Sequence, residues 1–329
     1  MDLTSPFGGK NVLITGGLGF IGSNLAIRLV SDGANVTIVD SLIPEYGGNL
    51  HNVRDIAPRV RLNISDVRDE YSFANLIRDQ DYLFNLAGQT SHVDSMADPF
   101  ADLAINARAQ LSILEACRKH NRNVVVIFAS TRQIYGRPSY LPVDEKHPIK
   151  PVDVNGVNKA AGESFHQVYN DVYGIRTCAL RLTNTYGPRM RIKDARQTFL
   201  GVWIRDVVQG KPFEVWGGEQ LRDFNYVDDV VDAMLRAAVT PACLGEAMNL
   251  GGDEALRLLD LANLVVEVCG TGRYEVMTFP EDRRAIEIGD YYSDSTKARQ
   301  MLGWQPKVGL REGLARALQY ARENLEHYL

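Results

Sequence analysis

The sequence predicts an α/β fold: a Rossmann-type, doubly wound parallel sheet with a smaller mixed α/β substrate domain. Three observations predict it. Short β-branched runs alternate with helical spacing through the first half of the chain. A glycine-rich turn joins the first run to the first helix, and an aspartate ends the second run.

Asn11–Thr15 (NVLIT) is an apolar run closed by glycines, and Phe20–Ser31 reads as a helix. Asn35–Asp40 (NVTIVD) and Val60–Asn63 are the next strands, followed by helix from Glu70 to Asp79. Asp81–Ala87 (DYLFNLA) and Val124–Ala129 (VVVIFA) read as strands on either side of a long helical stretch, Ala101–Asn121. Val157–Tyr173 is helical and Thr177–Leu182 is strand. Nearly continuous apolar strands fit a sheet covered on both faces. The second half is less regular. Pro188–Asp194 is rich in charge and turn residues, and Gln197–Gln209, Val227–Ala238 and Gly309–Asn324 have helical spacing. Phe213–Trp216 and Glu275–Phe279 read as strands. The expected division is a cofactor domain at 1–182, with elements near 225–250 folding back onto it, and a mainly substrate-binding domain at 183–329.

Composition narrows the function. The chain has 329 residues, 45% hydrophobic and 23% charged, enough to build a sizeable core. Its net charge of −5 and lack of a basic run argue against nucleic-acid binding. Cys117, Cys178, Cys243 and Cys269 lie far apart with no C-x-x-C, which gives neither a metal site nor a disulfide framework and fits a cytoplasmic protein. No signal peptide and no apolar run of membrane-spanning length, about 20 residues, is visible.

The strand NVLIT leads into Gly16-Gly17-Leu18-Gly19-Phe20-Ile21-Gly22. The spacing G-x-x-G-x-x-G on Gly16, Gly19 and Gly22 supplies a sharp turn, a close backbone approach to a pyrophosphate, and tight packing of helix on strand. The helix start at Phe20 and Ile21 offers free N–H groups and a positive dipole end to phosphates. Asp40 is placed to accept hydrogen bonds from ribose hydroxyls and to repel a 2′-phosphate; its neighbours include no arginine, so NAD is favoured over NADP. Asp66 and Val67 are candidates for contact with adenine.

Further motifs carry a resemblance over nearly the whole chain: NLAGQ at Asn85–Gln89, STRQIYG at Ser130–Gly136, NK at Asn158–Lys159, RLTNTYGPR at Arg181–Arg189, LRDFNYVDD at Leu221–Asp229, NLGG at Asn249–Gly252 and LGWQP at Leu302–Pro306. With the glycine turn and Asp40, they resemble the extended short-chain dehydrogenase/reductases that act on nucleotide sugars. The resemblance implies NAD as cofactor, with Leu86, Ala87, Gln89 and Lys159 among its contacts, and a nucleoside-diphosphate sugar as substrate. It implies a homodimer built on the helices near Ala101–Asn121 and Val157–Tyr173. It also implies substrate contacts at Asn184, Trp216, Arg222 and Arg283, with Arg284 competing for the last role. Arginine suits phosphate because its planar fork donates two parallel hydrogen bonds. Arg189, Arg191, Lys193 and Arg196 form a basic loop cluster, read either as a cover over an anionic ligand or as a solvated loop.

One family position is altered. The resemblance implies a catalytic Thr131 and Lys159, with a tyrosine four residues before the lysine as general base. That position holds Asn155, and no lysine of this chain has a tyrosine four residues before it. An amide has no proton to exchange near neutral pH, so Asn155 binds but cannot act as base; it is also read as a possible helix N-cap. Candidate replacement bases are His92, Tyr135 and Asp153. Arg132-Gln133, where dehydratases and decarboxylases of the family carry carboxylates, argues for epimerisation. The alternatives are an impaired binder of NAD and sugar nucleotide, or a one-way dehydrogenase.

Overall fold

The computed structural model describes residues 5–281 and 286–329. Seven parallel strands form the main sheet. They are β1 (Asn11–Thr15), β2 (Asn35–Asp40), β3 (Val60–Ile64), β4 (Tyr82–Asn85), β5 (Val125–Thr131), β6 (Arg176–Leu182) and β10 (Ala247–Leu250). The order across the sheet is β10-β6-β5-β4-β1-β2-β3. Chain order therefore reverses between β1 and β4, and ligands of such sheets bind in the crevice outside the strand ends at that point.

Both faces are covered, as the strand composition requires. On one face Val12, Ile14, Ile38 and Phe84 meet α1 (Phe20–Ser31) and α8 (Val227–Val239). On the other, Leu13, Leu83 and Val126 meet a layer that includes α2 (Glu70–Leu76) and α5 (Ala109–His120). Helix α2 stops at Leu76, short of the expected Asp79, whose left-handed backbone (φ 57°) is incompatible with helix. The expected helix Ala101–Asn121 begins earlier, at Pro99, with Asp98 as N-cap; it runs as α4 (Pro99–Leu103), one wide turn (Ala104–Arg108) and α5. In the wide turn Gln110 Nε2 donates to the Ile105 carbonyl at 3.1 Å, closing a gap in the helical ladder.

The remaining chain builds a second body. A three-stranded sheet joins β7 (Asn184–Tyr186), β9 (Leu221–Tyr226) and β11 (Ala255–Arg257), and β8 (Phe213–Trp216) pairs with β12 (Tyr274–Met277). Helices α7 (Phe199–Val208), α9 (Leu258–Cys269) and Leu310–Asn324 pack an apolar core around Trp203, Phe213 and Leu261. The chain leaves β6 at Leu182, crosses into this body, returns to the main sheet as α8 and then adds β10, which pairs with β6.

Candidate active site

A cleft of about 770 Å3 runs from the glycine turn, across the C-terminal ends of the main sheet, to the second body. Its first stretch follows β1. Gly16 has φ +67° and lies so close to β4 that a Cβ would sit 3.0 Å from the backbone of Leu86 and Ala87. A Cβ on Gly22 would sit 2.2 Å from the Gly16 carbonyl oxygen. Gly19 is the N-cap of α1 and has no side chain to occupy the first turn's N–H groups. Asp40 closes this end: Oδ2 accepts from the Leu18 N–H at 3.0 Å and Oδ1 from the Leu42 N–H at 3.0 Å. Burial raises its pKa, against the pull of those N–H donors.

Gly16, Gly19, Phe20, Ile21, Gly22, Asp40, Asp66, Val67, Leu86, Ala87 and Gln89 all line this stretch. Asp66 is held by an ion pair with Arg68 at 2.5 Å, which lowers its pKa. The close approach at Gly16 and Gly22, the open helix N-terminus and the fixed carboxylate together fit the pyrophosphate and ribose of a dinucleotide.

The central stretch holds Thr131, Asn155, Lys159 and His92. Helix α6 (Val154–Tyr173) starts three residues before the expected Val157. Its N-cap is Asp153, whose Oδ1 accepts from the Gly156 N–H at 2.7 Å, so Asn155 is not the cap. Asn155 and Lys159, four apart, share a helix face. The Lys159 ammonium donates to the Ala129 carbonyl at 2.6 Å and lies 4.5 Å from the centre of the Phe128 ring. Burial pushes its pKa down to about 8, opposed by Asp102 and Glu163.

Asn155 is tied inward. Its Nδ2 donates toward the Gln89 carbonyl (2.7 Å), Gln89 Oε1 (3.1 Å) and Asp102 Oδ2 (2.8 Å). Asp102 is fully buried, and its Oδ1 accepts from Asn158 Nδ2 at 2.8 Å. Asn155 thus supplies one of two amide donors to a buried carboxylate.

Tyr135 is removed from the chemistry. Its hydroxyl donates to Asn249 Oδ1 (2.7 Å) and accepts from Arg181 (2.6 Å), the ring is fully buried, and burial pushes its pKa up to about 12. His92 opens α3 (His92–Ala97). Its Nδ1 contacts Asp153 Oδ2, and its Nε2 lies 2.6 Å from Gln133 Nε2. The contacts of Asp153 and Gln133 with His92 escaped sequence reading, because residues 61 and 41 positions apart share no period.

The far end belongs largely to the second body. Asn184 Nδ2 donates to the Asp223 carbonyl at 2.9 Å, and Trp216 Nε1 to Glu214 at 3.0 Å. Arg222 is buried and donates to Glu287 at 2.8 Å and to the Gly289 carbonyl. All three line the cleft. Arg283 and its competitor Arg284 lie outside the described residues. The basic loop cluster is largely neutralised: Arg191 pairs with Asp194, and Arg196 with Asp94 and Asp194. Arg189 donates to Asn52 and Asn24.

The model of the NAD dependent epimerase/dehydratase family matches residues 12–251. This chain belongs to that family. A UDP-glucose 4-epimerase of Mycolicibacterium smegmatis is 30% identical over 94% of this chain and 98% of its own length. UDP-glucuronic acid decarboxylase 1 of Xenopus tropicalis is also 30% identical, over 97% of this chain and 73% of its own. Among solved structures, Thermotoga maritima UDP-glucose 4-epimerase with UDP-glucose superposes with a TM-score of 0.87 at 30% identity, covering 96% of this chain and 99% of that one. Family members are NAD-dependent enzymes of nucleotide sugars. Among the described residues no helix is long and apolar enough to cross a membrane.

Proposed function

We propose that this protein is an NAD-dependent, epimerase-type enzyme acting on a nucleoside-diphosphate sugar. The observation that carries the reading is one continuous cleft with a dinucleotide turn at one end, Thr131 and Lys159 at its centre, and Asn184, Trp216 and Arg222 at the other. NAD, when bound, supplies the oxidant for a sugar carbon. Gly16, Gly19 and Gly22 hold its pyrophosphate, Asp40 its adenosine ribose, and Lys159 its nicotinamide ribose. Thr131 steadies the reacting hydroxyl. Arg222, fixed by Glu287, meets the diphosphate, and Trp216 packs near the base. The division at residue 182 into cofactor and substrate domains is part of this reading. Arg132 and Gln133 offer no carboxylate for elimination or decarboxylation, which favours epimerisation among the family's reactions.

The test is cofactor extraction followed by product analysis with UDP-glucose and UDP-glucuronic acid. The expected results are NAD(H) in the extract and an epimerised sugar without net NADH. NADP(H) in the extract would overturn the cofactor assignment. Net NADH would make the protein a one-way dehydrogenase, and binding of UDP and NAD without any turnover would make it a sensor.

The reading includes a homodimer. Leu111 and Val157 sit with Val168 and Val172 as exposed apolar side chains on the adjoining helices α5 and α6, a face suited to a four-helix contact. Sedimentation is expected to show a dimer at micromolar concentration, and a monomer there counts against it. Four buried cysteines fit a reducing, cytoplasmic setting.

A further inference from the structure

The geometry points to His92, oriented by Asp153, as the general base that takes the sugar hydroxyl proton in place of the absent tyrosine. This inference rests on the epimerase reading of the same cleft.

The Asp153 carboxylate has both oxygens engaged. Oδ1 caps α6 and Oδ2 meets His92 Nδ1, with the side chain only 1% exposed. An ionised carboxylate only accepts, so the hydrogen sits on Nδ1 and the neutral ring leaves Nε2 unprotonated, an acceptor that meets the Gln133 amide. The same arrangement of acid, imidazole and unprotonated Nε2 prepares histidine for proton abstraction elsewhere. Burial opposes ionisation of Asp153, but the hydrogen bond with His92, the Gly156 N–H and Arg132 outweigh it and hold the carboxyl below its ordinary range.

The His92 side chain is 35% exposed and lines the cleft with Thr131 and Lys159. Gln133 connects them: its backbone N–H donates to Thr131 Oγ1 at 3.3 Å, and its side-chain amide donates to Nε2. Gln133 Oε1 is buried and has no hydrogen-bond partner among the described residues. A buried amide oxygen left unpaired is costly, which makes this atom informative. Once Nε2 carries a proton it becomes a donor, and a half-turn of the amide presents Oε1 to it. The amide therefore matches both protonation states of the ring.

The step balances as follows. The substrate hydroxyl takes the place of the Gln133 N–H at Nε2, and its O–H bond gives its proton to that nitrogen. NAD, when bound, would accept the carbinol hydrogen with its electron pair, leaving a ketone. The reduced cofactor would return both to the other face as the imidazolium returns the proton, which yields the epimer.

The experiment compares the parent with His92→Gln, His92→Ala and Asp153→Asn, with UDP-glucose and UDP-glucuronic acid as probes. His92→Gln is expected to slow single-turnover NADH formation by about 10²–10⁴-fold, with calorimetric affinities for NAD and UDP at parental values. Added imidazole is expected to restore part of the rate in His92→Ala. In cofactor-free protein, ring ¹⁵N shifts of His92 should show the Nδ1–H form, and Asp153→Asn should raise the share of the Nε2–H form. A parental rate in His92→Gln, or a hydrogen on Nε2 of the neutral ring, would overturn the base assignment while leaving the epimerase reading in place. A parent that binds NAD and UDP but neither forms transient NADH with either sugar nor epimerises it would overturn the epimerase reading, and the base with it.

Discussion

Asn155→Tyr, the substitution that recreates the family's Tyr–Lys pair on paper, is expected to destabilise the protein and to leave NADH formation no faster. Asn155 is 1% exposed, and its amide nitrogen lies within 3.1 Å of three acceptors on Gln89 and Asp102. A phenol has one hydroxyl hydrogen to offer and needs far more room. If the ring turns into the cleft, Asp102 loses one of its two amide donors and keeps only Asn158. If it stays inward, it overpacks the α4–α6 contact. Overpacking costs about 1–3 kcal/mol, and a buried acceptor without a donor likewise about 1–3 kcal/mol. A loss of roughly 1–3 kcal/mol in urea unfolding follows whichever way the ring turns. A variant of parental stability with faster single-turnover NADH formation would show that the tyrosine site is intact and that His92 is not the base.

Gly22→Ala is expected to weaken NAD binding about 100-fold. The added Cβ would lie 2.2 Å from the Gly16 carbonyl oxygen and 2.8 Å from Gly17 Cα. Both are backbone atoms of the turn, so no side chain can rotate away. Helix α1 must move off β1, which carries its N-terminal N–H groups away from the pyrophosphate. Three kcal/mol of lost binding, a value within the usual overpacking range, corresponds to about a 100-fold weaker Kd. Gly309→Ala is the control. Gly309 is the N-cap of the last helix, and a Cβ there meets no atom within 4 Å. It should keep parental affinity by calorimetry; NAD bound equally well by Gly22→Ala would remove the glycine turn from the cofactor site.

The sheet was readable where a strand is an unbroken apolar run closed by glycine or aspartate. β1 and β2 begin and end at the expected residues. The second body was harder. Helix α9 (LLDLANLVVEVC) went unpredicted although the exposed Asp260, Asn263 and Glu267 mark a polar stripe at helical spacing, opposite the buried Leu261, Ala262 and Val265. β7, β9 and β11 are short strands whose pairing depends on partners 32 to 40 residues away in the chain, as in Ala255 with Asp223 and Asn184 with Phe224. Within the cleft, spacing led to the glycine turn and Asp40, and the family resemblance to Lys159. The inward tie of Asn155 joins the loop at Gln89, Asp102 on α4 and the start of α6, and only the folded chain brings them together.

The return of the chain at β10 also bears on how the protein is made. β6 is complete at Leu182, yet the strand that covers its outer side arrives only at Ala247. At ordinary synthesis rates of about 5–20 residues per second, residues 183–246 take roughly 3–13 s to emerge. Throughout that time the nascent sheet ends in the backbone of Thr177–Leu182, with Ala179 and Leu180 awaiting Ala247 and Met248. An uncovered strand of this kind is a template for pairing with another chain. The neighbouring chains on a crowded messenger would display the same edge at the same stage. Protection during translation therefore falls to whatever occupies the ribosome exit region, until the last strand closes the sheet.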